Sequence, residues 1–291
     1  VTDKPAHVAS DAVAPAELDA IRALGATRPV AIVTGATKRV GLASACALAA
    51  RGCDVVITYR TDPRAAALAV KSIERAGSAT ATRAAALRLD LDDLASVERL
   101  GVSLSTTLAR VDVLVHNASM YEPTAPAVAG LTSTPGSALD LEQTQRFMRV
   151  NALAPLVLSR VLAVRLGAST LPGRGAIVAM GDIHAMGEAG QPRRGFVGYA
   201  MSKAALLEAM LVLARELSPR VRVNVVAPGV VAFPESGHES DLAAQELYLR
   251  RVPLGRAGTP EDAAAAVAFL ALDAHYTTGQ VLRVDGGRAI T

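Results

Sequence analysis

Apolar residues fall into short, uninterrupted runs along this chain, and the intervals between the runs show helical periodicity. Val30–Thr34, Asp54–Tyr59, Ala85–Leu89, Val111–His116, Ala176–Met180, Val221–Val226 and Gln280–Val284 are the runs. They are short and mostly rich in β-branched residues, the signature of strands buried on both faces. Amphipathic spacing fills Gly41–Arg51, Leu94–Ala109, Leu141–Leu166, Tyr199–Leu217 and Pro260–Leu272. Such alternation predicts a single doubly wound α/β domain, a mostly seven-stranded parallel sheet with helices on both faces. Right-handed crossovers then put the ligand crevice at the carboxyl ends of the strands. Residues 1–28 are rich in Ala, Asp, Pro and Thr and weakly periodic. They are expected to form a flexible extension, with a short helix at Pro15–Leu24, ahead of a folded domain spanning 29–291. Two long connections, Tyr121–Leu139 and Pro228–Asp241, are the places to look for function.

Composition narrows the class. Hydrophobic residues make up 51% of the 291, but aromatics only 3%, and tryptophan is absent. The core must therefore be built from Ala, Val and Leu. Net charge is only +3, from 30 basic and 27 acidic residues that are interspersed, so no nucleic-acid footprint is expected. No run approaches the roughly 18 apolar residues of a membrane span, and VTDKPAHVAS lacks the head and apolar stretch of a secretory signal. Cys46 and Cys53 suggest neither a metal cluster nor a disulfide framework, which makes a reducing cytoplasm the expected compartment.

Candidate chemistry sits at the predicted strand ends. VAIVTGATKRVGLA, Val30 to Ala43, reads as a strand, a tight turn and a helix start. Gly35 permits the reversal. Gly41 lets the helix N-terminus, with its free N–H groups, approach a pyrophosphate. Further along stand HNAS at His116–Ser119, Tyr199-Ala-Met-Ser-Lys203, Asn224-Val-Val-Ala-Pro-Gly229 and Val284-Asp-Gly-Gly287. In this order, over about residues 29 to 291, they resemble the short-chain dehydrogenase/reductase family. That resemblance implies a Rossmann-like fold and a nicotinamide dinucleotide bound along Gly35, Lys38, Arg39, Val40 and Gly41. Arg39 stands where the family's middle glycine is usual, in a TGxxxRxG form that resembles the pteridine reductase branch, dihydromonapterin reductases included. An arginine there can reach both the cofactor diphosphate and a substrate above it, or it only neutralises phosphate.

Cofactor choice is read after the second strand. NAD-specific sites place a carboxylate there; this chain has Tyr59-Arg60-Thr61. Arg60 and Thr61, with Lys38, suit a 2′-phosphate, so NADPH is expected. Asp62 is read as the cap of the next helix. The resemblance further implies that Asp90 faces the adenine amino group, with Leu91 beside it in the cofactor site, although Asp90 could equally cap a helix. It also sets Asn117, Ala118 and Ser119 against the cofactor, with Pro228 and Gly229 after the sixth strand.

Tyr199 and Lys203 are spaced i, i+4 and share a helix face. A phenol with pKa near ~10 is a poor acid at neutral pH, and a nearby ammonium favours its ionised form. Tyr199 can then deliver a proton as hydride arrives, with Lys203 on the nicotinamide ribose. By resemblance, Asn151 holds a water in the proton relay. The family's serine falls on Asp182, which pteridine reductases also carry as aspartate. A carboxylate suits a heterocycle with N–H donors, or a relay ending in Tyr199; it could also cap a turn. Tyr121 is placed to stack on a flat substrate, or is only a loop tyrosine. Arg39, Ser119, Tyr121, Asp182, Tyr199 and Phe233 form the expected substrate set, and no metal site is expected. The spacing from Asp182 to Tyr199 exceeds the family's usual one, with the excess near GEAGQPRRG. The resemblance also implies a homotetramer. The expected function is therefore NADPH-dependent reduction of a dihydropterin, against a carbonyl or 3-oxoacyl-thioester reductase, or a non-catalytic nucleotide-sensing scaffold.

Overall fold

The computed structural model describes residues 15–124, 140–186, 195–233 and 240–291. The chain enters through α1 (Pro15–Arg22) and then alternates β1 (Val30–Val33), α2 (Arg39–Ala50), β2 (Asp54–Tyr59), α3 (Pro63–Ala76), β3 (Ala84–Arg88), α4 (Leu94–Thr107) and β4 (Val113–His116). It continues through α5 (Leu141–Met148), α6 (Ala154–Leu166), β5 (Gly175–Met180), α7 (Val197–Glu216), β6 (Val221–Pro228), α8 (Leu242–Leu249), α9 (Pro260–Ala268) and β7 (Val281–Val284). All seven strands pair in parallel in the order β3-β2-β1-β4-β5-β6-β7. The order reverses between β1 and β4, and there a crevice opens at the strand ends.

Helices cover both faces, as the buried apolar strands require. Leu48 of α2, Ile73 of α3 and Val267 of α9 pack on one side of the sheet. Leu100 of α4, Leu158 and Leu162 of α6 and Met210 of α7 pack on the other. The stretch Leu141–Leu166 is continuous but contains a π-helical turn at Arg149–Leu153, which carries the buried Asn151. Such bulges recur at functional sites. Asp62 caps α3 as expected, accepting from the amides of Arg64 and Ala65 at 2.9 Å each. Leu141–Leu166 and Val197–Glu216 are long and apolar enough, by length and composition, to cross a membrane. Neither is an uninterrupted apolar run, since charged residues such as Arg160 and Lys203 fall within them. Each is a core helix whose inner face lies on the sheet.

A correction concerns the expected extension. Ile21 is fully buried and Leu24 nearly so, within the cluster that holds Val30, Ile32 and Val56. Gly25 N–H donates to the buried Asp54 at 3.0 Å, and Val30 N–H to Asp112 at 2.8 Å. Ile21, Leu24 and Gly25 are thus packed onto the sheet, while residues 1–14 of the expected extension lie outside the described ones. Leu24→Ala is expected to cost about 2–3 kcal/mol in chemical denaturation. A change within about 0.5 kcal/mol, as for an unpacked segment, would contradict the packing.

Candidate active site

A cleft of about 680 Å³ runs along the carboxyl ends of β3, β2, β1, β4, β5 and β6. Its middle is the turn after β1. Gly35 has φ +62°, and a Cβ there would lie 2.6 Å from that of Ala118. A Cβ on Gly41 would collide with the Asn117 amide. The turn is tied to the end of β4: Asn117 Nδ2 donates to the carbonyls of Thr34 and Gly35 at 3.0 Å, and Thr34 Oγ1 accepts from the Asn117 and Ala118 amides at 3.0 and 3.2 Å. Lys38, at the N-terminus of α2, makes no side-chain cap. The helix's first N–H groups are therefore open to an anion.

Arg39 is unusual twice over. Its φ of 52° is the left-handed conformation that glycine favours, so the side chain is held at a backbone cost of about 1–2 kcal/mol. Its guanidinium crosses the cleft and donates to the Ala232 carbonyl at 2.9 Å, tying the turn to the loop after β6.

Tyr199 and Asp182 meet at the other end. Across 17 positions of sequence, the Tyr199 hydroxyl donates to Asp182 Oδ2 at 2.9 Å. The widened spacing leaves these groups in contact; residues 187–194, where most of the excess falls, lie outside the described ones. Asp182 Oδ1 accepts from the His184 amide at 2.7 Å, so the carboxylate also caps a short turn. Lys203 is buried under the Tyr199 ring, its Nζ 5.8 Å from the centroid and donating to the Met180 carbonyl at 2.8 Å. Burial pushes Lys203 down to about 8, against the carboxylate of Asp182, which favours its charge. His116, behind the site, is pushed down by burial to about 3 and hydrogen-bonds Ser159 Oγ at 2.7 Å, which leaves it a neutral core group.

Of the chain's four Phe and five Tyr, two of each gather here. Tyr121 and Phe196 stack with centroids 5.0 Å apart and an 18° angle. Tyr121 meets Tyr199 edge-on at 4.9 Å, and the fully buried Phe147 backs Tyr199 at 6.3 Å. Phe196 and Phe147 carry no motif and were not expected. The only sequence signal was their scarcity.

Most expected residues line the cleft: Gly35, Lys38, Arg39, Val40, Gly41, Tyr59, Arg60, Asp90, Leu91, Asn117, Ala118, Ser119, Tyr121, Asp182, Tyr199, Pro228 and Gly229. Two depart from expectation, and Lys203 and Asn151 lie behind the lining. Thr61 is exposed and outside the lining. Phe233 also lies outside it and packs edge-on against Tyr248 of α8 at 6.0 Å. Lys203 lies beneath the lining, on the Met180 carbonyl. Asn151 is a clamp: Nδ2 donates to the Met120 carbonyl and Ser202 Oγ at 3.0 and 2.9 Å, and Oδ1 accepts from the Met120 amide and Ser119 Oγ at 2.8 and 3.2 Å.

Residues 35–289 match the family model described as enoyl-(acyl carrier protein) reductase. The chain belongs to the short-chain dehydrogenase/reductase family. Its relatives in that family carry several activities. An uncharacterized oxidoreductase of Methylorubrum extorquens is 34% identical, over 89% of this chain and 96% of that protein. A 3-oxoacyl-[acyl-carrier-protein] reductase of Synechocystis sp. is 33% identical, over 90% and 97%. Pteridine reductase 1 of Leishmania tarentolae is 33% identical, over 91% and 98%. A short chain dehydrogenase from Burkholderia cenocepacia, solved in complex with NADP, superposes with a TM-score of 0.74 at 31% identity, over 89% of this chain and 97% of that one.

This short-chain dehydrogenase/reductase is therefore an oxidoreductase that uses NAD(P). Its cleft fits that cofactor: the space a Cβ on Gly41 would fill is left clear beside an uncapped helix N-terminus. The side chains of Lys38 and Arg60 point no hydrogen bond or ion pair at any described residue, leaving two cations for phosphate. Asp90 is not the cap of α4. Its Oδ1 accepts from the Asp92 amide at 3.0 Å in a turn, while the residue lines the cleft; Asp93 is the cap of α4.

Proposed function

We propose that this enzyme reduces a dihydropterin, such as dihydrobiopterin or dihydromonapterin, to the tetrahydro form with NADPH. The observation that carries the reading is the Asp182 carboxylate on the Tyr199 hydroxyl, beneath the Tyr121–Phe196 stack. A ketone offers no N–H to a carboxylate, and a lone oxygen acceptor would be repelled by it. A pterin offers amino and ring N–H donors to Asp182 and a flat face to Tyr121. When bound, NADPH supplies the hydride. Tyr199 Oη delivers a proton to the ring nitrogen beside the reduced carbon, and buried Lys203 favours the phenolate left behind. Arg39 and Ser119 border the same space from the cofactor side.

The test is steady-state NADPH oxidation with a panel of dihydropterins, 3-oxoacyl thioesters and simple ketones. Turnover of a pterin is expected. Silence with every pterin beside good turnover of a thioester or ketone would overturn the reading in favour of the activity named for the Synechocystis relative. For the cofactor, Arg60→Ala is expected to raise the KM for NADPH about 10–100-fold, one charge-assisted contact, and to leave the KM for NADH within about two-fold. Equal effects on both cofactors would exclude Arg60 as the reader of a 2′-phosphate. We also propose a homotetramer joined through the stretch Leu141–Leu166 and α7, where Leu153, Val164, Met201 and Val212 are exposed. A monomer in light scattering would refute it.

A further inference from the structure

Arg146 lines the cleft at the end remote from Tyr199, one helical turn before Val150. It belongs to none of the motifs. Its Nε donates to Asp92 Oδ2 at 3.0 Å. The other oxygen of Asp92 accepts Arg149 Nε at 2.7 Å, and Arg149 spends a second donor on Glu142 at 2.9 Å. Asp92 is thus fixed from two sides. It holds the Arg146 side chain by the inner nitrogen, and the two terminal nitrogens make no hydrogen bond to any described residue. The result is a guanidinium set in direction, with its free fork at the cleft.

The surroundings say what it meets. Beside it the cleft is lined by Leu91 and Val150, two apolar side chains suited to a flat base. The free cations suited to phosphate, Lys38 and Arg60, stand at the ends of β1 and β2, not here. The pair that suits the reacting ring, Asp182 and Tyr199, follows β5, across the sheet. What remains for this end is the purine. We propose that Arg146, positioned by Asp92, binds the adenine of the dinucleotide: its plane covers the base and its terminal N–H groups serve the ring nitrogens. The proposal rests on the family's dinucleotide and is independent of which substrate is reduced.

Calorimetry on the full chain tests it with three probes: 2′,5′-ADP, ADP-ribose and nicotinamide mononucleotide. Arg146→Met, which keeps the stem and loses the fork, is expected to weaken 2′,5′-ADP and ADP-ribose alike, by about ten-fold. Binding of the mononucleotide, which has no adenine, should not change. Arg146→Lys, which keeps the charge, should lose nearly as much as Arg146→Met, and it serves in its place if the Met variant does not fold. Asp92→Asn should give a smaller loss in the same two probes. Unchanged affinity for both adenine probes would overturn the proposal. So would a loss confined to 2′,5′-ADP, which would mean a phosphate contact, or an equal loss with the mononucleotide, which would mean only a displaced helix.

Discussion

Tyr199→Phe is expected to lower kcat by about 10³-fold, within the ~10²–10⁴ that a positioned general acid contributes, and to leave the Kd for NADPH nearly unchanged. The hydroxyl is the only polar group of that ring, and it faces Asp182 at 2.9 Å. The ring itself is held by Phe147 and Tyr121, so phenylalanine keeps the packing and removes only the proton. A fall of less than about ten-fold would place the acid elsewhere. The pH dependence gives an independent check through Lys203. Burial lowers its folded value to about 8, so the ammonium is present below that pH and lost as pH rises through it. The charge that favours phenolate goes with it. kcat/KM, which reports the free enzyme, should therefore fall on the alkaline side of about pH 8. In Lys203→Arg that limb should move to higher pH, because guanidinium keeps its proton. A wild-type profile flat from pH 7 to 9 would show that the charge of Lys203 does not limit the reaction.

The fold was largely legible because strands buried on both faces leave uninterrupted apolar runs, and these were found within a residue or two of their observed bounds. The cofactor turn was legible because close approach to phosphate and to a neighbouring strand admits little except glycine, as Gly35 and Gly41 show. Other features depend on tertiary packing that leaves no local mark. Ile21 and Leu24 sit in a short, alanine-rich and weakly periodic segment, and only the sheet they cover makes them core. Asn151 stands out in an apolar helix, but its partners lie 31 residues before it, at Met120, and 51 after it, at Ser202. Those bonds across the fold follow only from the structure. Phe196 and Arg146 reach the site through the packing of helices, with no glycine, proline or fixed spacing to announce them. Arg39 is the converse case. Its departure from glycine was visible at once, yet the left-handed backbone and the bond to Ala232 followed only from the structure.

Asp182→Asn is expected to lower kcat/KM for a dihydropterin by about 10²–10³-fold. The substitution is nearly isosteric. The amide oxygen can still accept from the His184 N–H, now at 2.7 Å, so the short turn that positions residue 182 survives. What is lost is the negative charge that Tyr199 and the substrate's N–H groups address. Hydrogen bonds to a charged acceptor contribute about 1.5–3 kcal/mol each. One or two such bonds weakened or reversed, with an amide N–H now facing a donor, account for the expected loss. The effect should appear on a pterin and not on a simple ketone, because a ketone presents no N–H to this position. Asp182→Ser extends the comparison: it restores the residue usual in the wider family, and should lose pterin turnover while keeping or gaining ketone turnover. Full pterin activity in Asp182→Asn would remove the carboxylate from substrate recognition, reducing residue 182 to a turn cap and returning the choice of substrate to the aromatic wall of Tyr121 and Phe196.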